Sequence, residues 1–218
     1  MILIAELGSS PAVHGWQLKP WLQAAKESGA THVKVQLFRA EHFPESERAA
    51  KKPLEFPRDK YALFCRMAHE RELLAGTSVF DDFAVGLAVL EGDFLKLAAR
   101  EQENEWLMRR CERNRDRLYR SISRAKSYRD WPRFTLWTVQ RYPTPMWIAL
   151  WGLFRSQWVI PAREWGWSSH TVGWLDCLWA ARLGANVIEK HLALSTDDLE
   201  AGHSLLPAQF KRMAEKMQ

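Results

Sequence analysis

Asn186-Val-Ile-Glu-Lys-His-Leu-Ala-Leu194, read together with Gly166-Trp-Ser-Ser-His-Thr171 upstream, decides the fold. Each stretch closes an apolar, β-branched or aromatic run with a polar cluster, and each cluster carries one histidine. Parallel strands closed into a barrel bring their carboxyl ends to a common mouth. As the last two strands of such a barrel, these runs would point His170 and His191 into that mouth from adjacent positions. Two neutral imidazoles with carboxylates nearby suit a divalent first-row metal.

The rest of the chain supplies the other strands and helices of that barrel. Ile2 to Leu7 is an apolar run broken only by Glu6 and reads as a buried strand. A helix over Leu18 to Ser28 stops at Gly29. In the second strand, His32 to Phe38, Lys34 and Gln36 alternate with Val33, Val35 and Leu37 and share one face. Residues 39–57 form a charged, proline-marked loop without a period. Then come a helix over Arg58 to Glu72, a third strand over Leu73 to Asp81, a short helix from Phe83 to Leu90, and a fourth strand from Phe94 to Ala99. A helix over Asn104 to Asn114 leads to a fifth strand, Arg117 to Ser123, and little room for a helix remains before Arg133. The sixth strand is Phe134 to Gln140, followed by a helix over Met146 to Phe154. Trp158-Val-Ile-Pro161 is a short seventh strand entering the Ser-Ser-His cluster. A helix over Val172 to Leu183 stops at Gly184, and the eighth strand and a helix from Pro207 complete the pattern. Strand–helix alternation with right-handed crossovers argues a parallel sheet, and eight units make a compact (β/α)8 TIM barrel spanning residues 1–218 as one domain.

The totals agree with one globular domain. The chain has 218 residues, 47% hydrophobic and 26% charged, enough for one well-buried core and cramped for two. Cys65, Cys111 and Cys177 are widely spaced and odd in number, so they read as buried or free thiols of a reducing, cytoplasmic compartment. The N-terminus lacks the basic region of a signal peptide, and no apolar run approaches a membrane span, so no membrane partner is expected. The net charge is +5. Much of the excess lies between Arg109 and Arg133, which reads as a solvated face before it reads as a nucleic-acid stripe. Among twelve tryptophans, Trp106, Trp147, Trp151, Trp174 and Trp179 fall in helical patterns and are expected to fill the core or the helix–sheet layer.

Several strands end in polar residues. A buried carboxylate is costly unless paired, so Glu6 points to a catalytic or ligand role. Lys34 and Lys96 lie on inward faces, where an ammonium needs a partner. With hydroxyls from Thr77, Ser78 and Ser168 they make a cradle for a phosphate or carboxylate. His14, His32, His42, His69 and His203 read as surface or loop histidines.

Seven blocks in order resemble the sialic acid synthases, which are similar to other phosphoenolpyruvate-dependent nonulosonate synthases. They are Ile4-Ala-Glu-Leu-Gly8, Val33-Lys-Val-Gln36, Lys96-Leu-Ala-Ala-Arg-Glu101, Tyr142-Pro-Thr-Pro145, Gly166-Trp-Ser-Ser-His-Thr171, Gly184-Ala-Asn-Val-Ile-Glu-Lys-His191 and Ser204-Leu-Leu-Pro207. The resemblance implies a metal-assisted condensation of phosphoenolpyruvate with the aldehyde of an amino sugar or related aldose, giving a sialic acid-like nonulosonate and phosphate. It implies His170 and His191 as ligands of Mn²⁺, with Mg²⁺ or Co²⁺ as alternatives. Lys34, Ser78, Lys96 and Ser168 match positions that hold phosphoenolpyruvate, with Lys96 also at the reacting centre. Glu6 and Glu101 match carboxylates there, and Gln140 and Tyr142 match the sugar side.

The chain departs from that pattern at several points. Ala99 stands where a phosphate-binding serine is expected, Gln140 where an asparagine is, and Ser169 where an aspartate precedes the histidine. Ser9-Ser-Pro-Ala-Val-His-Gly15 replaces an Asn-His-Asn-Gly loop, and the acidic loop after strand eight is shortened, which leaves Glu200 or His203 as only a rough replacement for its aspartate. The chain ends at Gln218, so the C-terminal antifreeze-like domain that reaches across a dimer in the family is expected to be absent, although a homodimer stays open. Three readings follow: a minimal synthase acting on phosphoenolpyruvate and a sugar aldehyde, a catalytically weakened barrel that binds a ligand or partner, and an anionic-polymer binder using the Arg109–Arg133 stretch.

Overall fold

Most strand residues on the faces that meet the helices are apolar, aromatic or small, Arg120 and Lys190 being charged exceptions, and this lets eight short segments pair in parallel and close into a barrel. They are β1 (Ile2–Gly8), β2 (His32–Leu37), β3 (Leu74–Val79), β4 (Phe94–Leu97), β5 (Leu118–Ile122), β6 (Phe134–Thr138), β7 (Trp165–Ser169) and β8 (Val187–His191), each hydrogen-bonded to its sequence neighbours, with β8 returning to β1. The computed structural model describes residues 1–124 and 132–217. Helices α1 (Leu18–Glu27), α2 (Glu45–Lys51), α3 (Arg58–His69), α4 (Asp82–Glu91), α5 (Glu105–Glu112), α6 (Met146–Gln157), α7 (Leu175–Arg182) and α8 (Pro207–Met217) occupy the connections. This is the (β/α)8 TIM barrel that the alternation predicts.

Two helix starts are fixed by side chains the sequence provides. Asp81 accepts from the Ala84 N–H at 2.7 Å to cap α4, and Asn104 accepts from the Leu107 N–H at 3.1 Å to cap α5. The larger core lies between sheet and helices, where Trp21, Leu22, Phe64, Leu107, Trp167 and Phe210 are buried. Each such side chain contributes roughly 1.5–3 kcal/mol.

Inside the barrel the side chains divide by height. Ile4, Phe94, Tyr119, Leu136 and Val187 form an apolar floor. Gly76 stands opposite Phe94 in the β3–β4 register, and the Phe94 ring fills the space that any side chain at Gly76 would need. Above the floor the inward positions turn polar: Glu6 pairs in register with Lys34, Ser78 with Lys96, and Ser168 with Glu189. With apolar side chains filling the lower barrel, the polar inward positions lie toward the carboxyl-terminal mouth.

Three expectations are corrected. The seventh strand is Trp165–Ser169, not Trp158–Pro161. Helix α6 runs on to Gln157, and the N–H groups of Trp158, Val159 and Ile160 bond back to carbonyls of Arg155 and Ser156, so this β-branched run is a helix terminus. Trp165 and Trp167 face the helices, donating from their indole N–H groups to Ser156 and Asp176, which leaves Ser168 facing inward. Residues 39–57 are not a plain loop but contain α2, flanked by 3-10 turns Ala40–His42 and Lys52–Leu54. No α2 residue is buried, so there is no apolar stripe to read; Glu45 and Glu47 in its first turn and Arg48 and Lys51 in its last suit the helix dipole.

The tryptophans make the third correction. Only Trp174 of the five packs against the core, while Trp106, Trp147, Trp151 and Trp179 are exposed. The expectation about the β5–β6 connection, and part of the Arg109–Arg133 stretch, fall on residues 125–131, outside the described residues. The three cysteines are buried and free, and burial pushes the Cys65 and Cys111 thiols up to about 12. No helix among the described residues is long and apolar enough to cross a membrane.

Candidate active site

Side-chain alternation along the strands builds the site. In Val187–His191, Glu189 and His191 point into the barrel, while Lys190 points outward and donates to the Thr171 carbonyl at 2.6 Å and Ser169 Oγ at 3.1 Å. Glu6 from β1, Lys34 from β2, Ser78 from β3, Lys96 from β4, Ser121 from β5, Thr138 from β6 and Ser168 from β7 complete the ring. They line a cavity of about 590 Å³ at the mouth.

At its base two lysines and two carboxylates alternate. The Lys34 ammonium contacts Glu6, donates to Ser78 Oγ at 2.6 Å and lies 3.8 Å from Glu189 Oε2. Lys96 Nζ donates to Glu189 Oε1 at 2.6 Å and to Ser168 Oγ at 3.4 Å, and Ser168 donates to the same carboxylate oxygen at 2.9 Å. Glu6 Oε1 accepts from the Gly8 N–H at 2.7 Å. All four charged groups are buried. Burial pushes the Lys34 ammonium down to about 7 against the opposing pull of Glu189. Burial alone would raise the Glu189 carboxyl, but Lys34 and Lys96 overcome it and hold it well below the usual range. Among the described residues, Glu189 Oε2 accepts no hydrogen bond, and Ser121 Oγ, buried at the cavity wall, has no hydrogen-bond partner.

Three histidines gather at one side of the rim. The His170 and His191 ring centroids are 5.3 Å apart, and His203, from the turn Ala201–His203, lies 4.5 Å from His191 and 5.8 Å from His170. Burial pushes His170 well below its ordinary value, His191 down to about 3 and His203 to about 4, so all three are neutral at neutral pH. A carbonyl can only accept, so His170 Nδ1, 3.0 Å from the Val139 oxygen, carries the proton and leaves Nε2 as the free donor atom. His191 Nδ1 lies 2.8 Å from Glu200 Oε2, with the same consequence when Glu200 is ionised. The Glu200 carboxyl, raised by burial, fills the space beside Gly8, whose positive φ of 57° and lack of a side chain allow that approach.

Ligand atoms of His191, Glu200 and His203 lie within 4.8 Å of one another. Two neutral imidazoles and a carboxylate are a donor set that fits a divalent transition ion.

Most residues singled out from sequence meet here: Glu6, Lys34, Ser78, Lys96, Gln140, Tyr142, Ser168, His170 and His191 all line the cavity. Gln140 donates to Ser123 Oγ at 3.2 Å, and the Tyr142 ring packs 4.3 Å from that of His170. Glu101 does not join them. It ends the turn Ala99–Glu101, is absent from the lining, and accepts from Asn104 Nδ2 at 3.0 Å. Thr77 also turns away, donating to the Val35 carbonyl at 3.1 Å on the outer face. His203 is the opposite correction, a supposed loop histidine that sits in the rim.

Glu189 and Ser121 line the cavity without standing out in the sequence, whereas Glu200 falls where a rough replacement for the loop aspartate is expected. For Glu189 the signal was available, since an inward His191 on a strand makes the residue two positions earlier inward as well.

Sequence comparison with curated proteins returns no match. The NeuB family profile matches residues 136–218, which run from within β6 through α8 and include every rim histidine. Among solved structures the barrel is similar to an N-acetylneuraminic acid (sialic acid) synthetase from Leptospira borgpetersenii serovar Hardjo-bovis, at TM-score 0.87 and 21% identity over 99% of this chain and 82% of that one. A spore coat polysaccharide biosynthesis protein from Bacillus subtilis follows at TM-score 0.83 and 22% identity, over 99% and 66%. A truncated 3-deoxy-D-arabino-heptulosonate 7-phosphate synthase from Thermotoga maritima reaches TM-score 0.69 at 10% identity, over 100% and 85%. The chain therefore has the barrel fold of these synthases, and its C-terminal third carries the NeuB pattern.

Proposed function

We propose that this chain is a sialic acid synthase-like enzyme in a single barrel domain over 1–218. It would condense phosphoenolpyruvate with the open-chain aldehyde of an amino sugar or related aldose. In that reaction a C–C bond forms between the enol carbon and the aldehyde carbon, water adds, and phosphate leaves. The observation that carries the reading is the buried Lys34–Glu6 and Lys96–Glu189–Ser168 set lying directly beside a cluster of neutral histidines.

Lys34 and Lys96 would neutralise the phosphate and carboxylate of phosphoenolpyruvate, with Ser78, Ser168 and the unpartnered Ser121 hydroxyl as further donors. Glu6 would hold a proton near the reacting carbons, and Gln140 and Tyr142 would face the sugar. Glu101 is left out of the chemistry, and Glu189 takes the place at the reacting centre. His191, with Glu200, His203 and His170, would hold a divalent ion, Mn²⁺ by preference. Such an ion supplies Lewis acidity to an aldehyde oxygen. A cytoplasmic location suits these substrates.

Release of phosphate from phosphoenolpyruvate, measured with a panel of aldoses in the presence and absence of Mn²⁺, tests the proposal. Metal-dependent release with at least one aldose is expected, and none with any aldose, together with no phosphoenolpyruvate binding, would refute it. A second reading, a barrel that binds phosphoenolpyruvate without turning it over, is favoured by Ala99, which puts a methyl group on the cavity wall. Calorimetry separates the two, because tight binding without turnover supports the second. Ala99→Ser is expected to add a donor and tighten phosphate binding by about 0.5–1.5 kcal/mol; unchanged affinity would place residue 99 away from the anion.

A further inference from the structure

We propose that the outward faces of α6 and α7 form the self-complementary interface of a homodimer of this chain. Helix α6 is built the wrong way round for a helix that meets solvent. Its sheet-facing side carries Ala149, Gly152 and Ser156 beside Leu153, and a side chain at Gly152 would press on Trp137 at 3.1 Å and Trp167 at 3.3 Å. The sheet's own tryptophans already fill the layer, so the large residues of α6 are not needed there.

Those large residues point outward. Trp147, Trp151, Phe154 and Trp158 follow one another at helical spacing and are 72%, 59%, 57% and 80% exposed. Phe154 joins its neighbours into a ledge, 6.5 Å from Trp151 and 6.3 Å from Trp158 between ring centroids. Leu175 and Trp179 are exposed as well, on α7, which packs against α6. The exposed part of these side chains amounts to on the order of 1,000 Å². That exceeds the ~300–600 Å² of the largest apolar patch on an ordinary monomer and reaches the ~800 Å² per partner of a stable interface.

Charge selects the occupant. Between Gln140 and Arg163 there is no aspartate or glutamate, and the acid of α7, Asp176, is buried against Trp167 and Thr171. The exposed charges on the two helices are Arg155 and Arg182, neither of which makes an ion pair among the described residues. Aromatic residues and arginine with lysine, aspartate and glutamate absent is the composition of a protein–protein interface core. Across a two-fold axis, guanidinium groups can stack on the partner's indoles instead of facing one another. Two arginines fall short of the roughly four to eight cations that bind a protein to an anionic membrane.

Sedimentation velocity and light scattering on the full chain across a concentration series test the interface. The expected result is a species of twice the protomer mass that dissociates on dilution. Trp151→Glu and Trp158→Glu should each weaken association by about 30-fold or more, the loss that marks an interface hot spot, with circular dichroism unchanged. Trp106→Glu, equally exposed on α5 but off this face, should leave the mass unaltered. If a variant fails to fold, tryptophan emission of the wild type decides, shifting to the red as the dimer dissociates on dilution. A wild-type monomer at all attainable concentrations overturns the proposal, whether or not it sediments with anionic vesicles. A dimer indifferent to both α6 substitutions overturns it as well.

Discussion

Glu189→Gln is expected to lower the unfolding free energy by about 3–5 kcal/mol, the usual cost of removing one partner from a buried ion pair. Glutamine has the same shape and can still accept from Lys96, so packing and one hydrogen bond survive while the negative charge is lost. What remains are two ammonium groups, Lys34 and Lys96, with Glu6 as the nearest balancing carboxylate. An exposed pair such as Arg100–Glu47 at the rim would show a much smaller effect on the same substitution, because water screens it. Chemical denaturation of the two proteins measures the difference. A second observable separates local charge from general damage: inorganic phosphate should stabilise the variant more than the wild type, since a bound anion replaces the missing charge. A variant as stable as the wild type, or one that phosphate fails to favour, would mean that Glu189 does not hold the lysines in place.

The importance of Glu189 shows how far the sequence could be read. The barrel was legible because strand–helix alternation repeats through the chain and few topologies accommodate it. The two histidines were legible because each ends a strand. Side-chain facing was harder. Val-Ile-Glu-Lys-His carries three polar residues in a row, and it is the two-residue period that puts Glu189 inside with His191 while Lys190 bonds outward to Thr171. Glu101 stays out of the cavity for a related reason: it lies five residues beyond the inward Lys96, an odd interval that strand alternation turns outward, and the 3-10 turn after β4 does not bring it back. His203 and Glu200 reach the rim from a loop, and loop conformation leaves no periodic trace in sequence.

The tryptophans mark a different limit. A helical period shows that Trp147, Trp151, Phe154 and Trp158 share one side of α6, but not which side meets the sheet. Large apolar residues normally settle that question by burial. Here Gly152, with Trp137 and Trp167 already close by, reverses the answer. A sheet that supplies its own bulk requires a helix with a small-residue face, and the rest of the helix is then free to serve another surface.

The second large effect concerns the division of labour at the mouth. His191→Ala is expected to reduce Mn²⁺ affinity by more than about 100-fold, beyond the 10–100-fold typical of losing an outer-shell partner, because His191 belongs to the one three-donor group found among the described residues. Lys96→Met should leave Mn²⁺ affinity within a few-fold of the wild type and weaken phosphoenolpyruvate binding, since its ammonium bonds Glu189 and Ser168 and no histidine. Titration of free Mn²⁺ by electron paramagnetic resonance, paired with calorimetry of phosphoenolpyruvate, reads both ligands on each variant. The same pair of measurements ranks the other two rim histidines. If the three-donor group is the whole site, His203→Ala should cost more Mn²⁺ affinity than His170→Ala; the reverse order would restore His170 and His191 as the metal pair, with Glu200 acting through its 2.8 Å contact to His191 Nδ1. Equal losses of both ligands in His191→Ala and Lys96→Met would mean that the cavity has no separate anion and metal halves, and the proposed condensation would lose the geometry on which it stands.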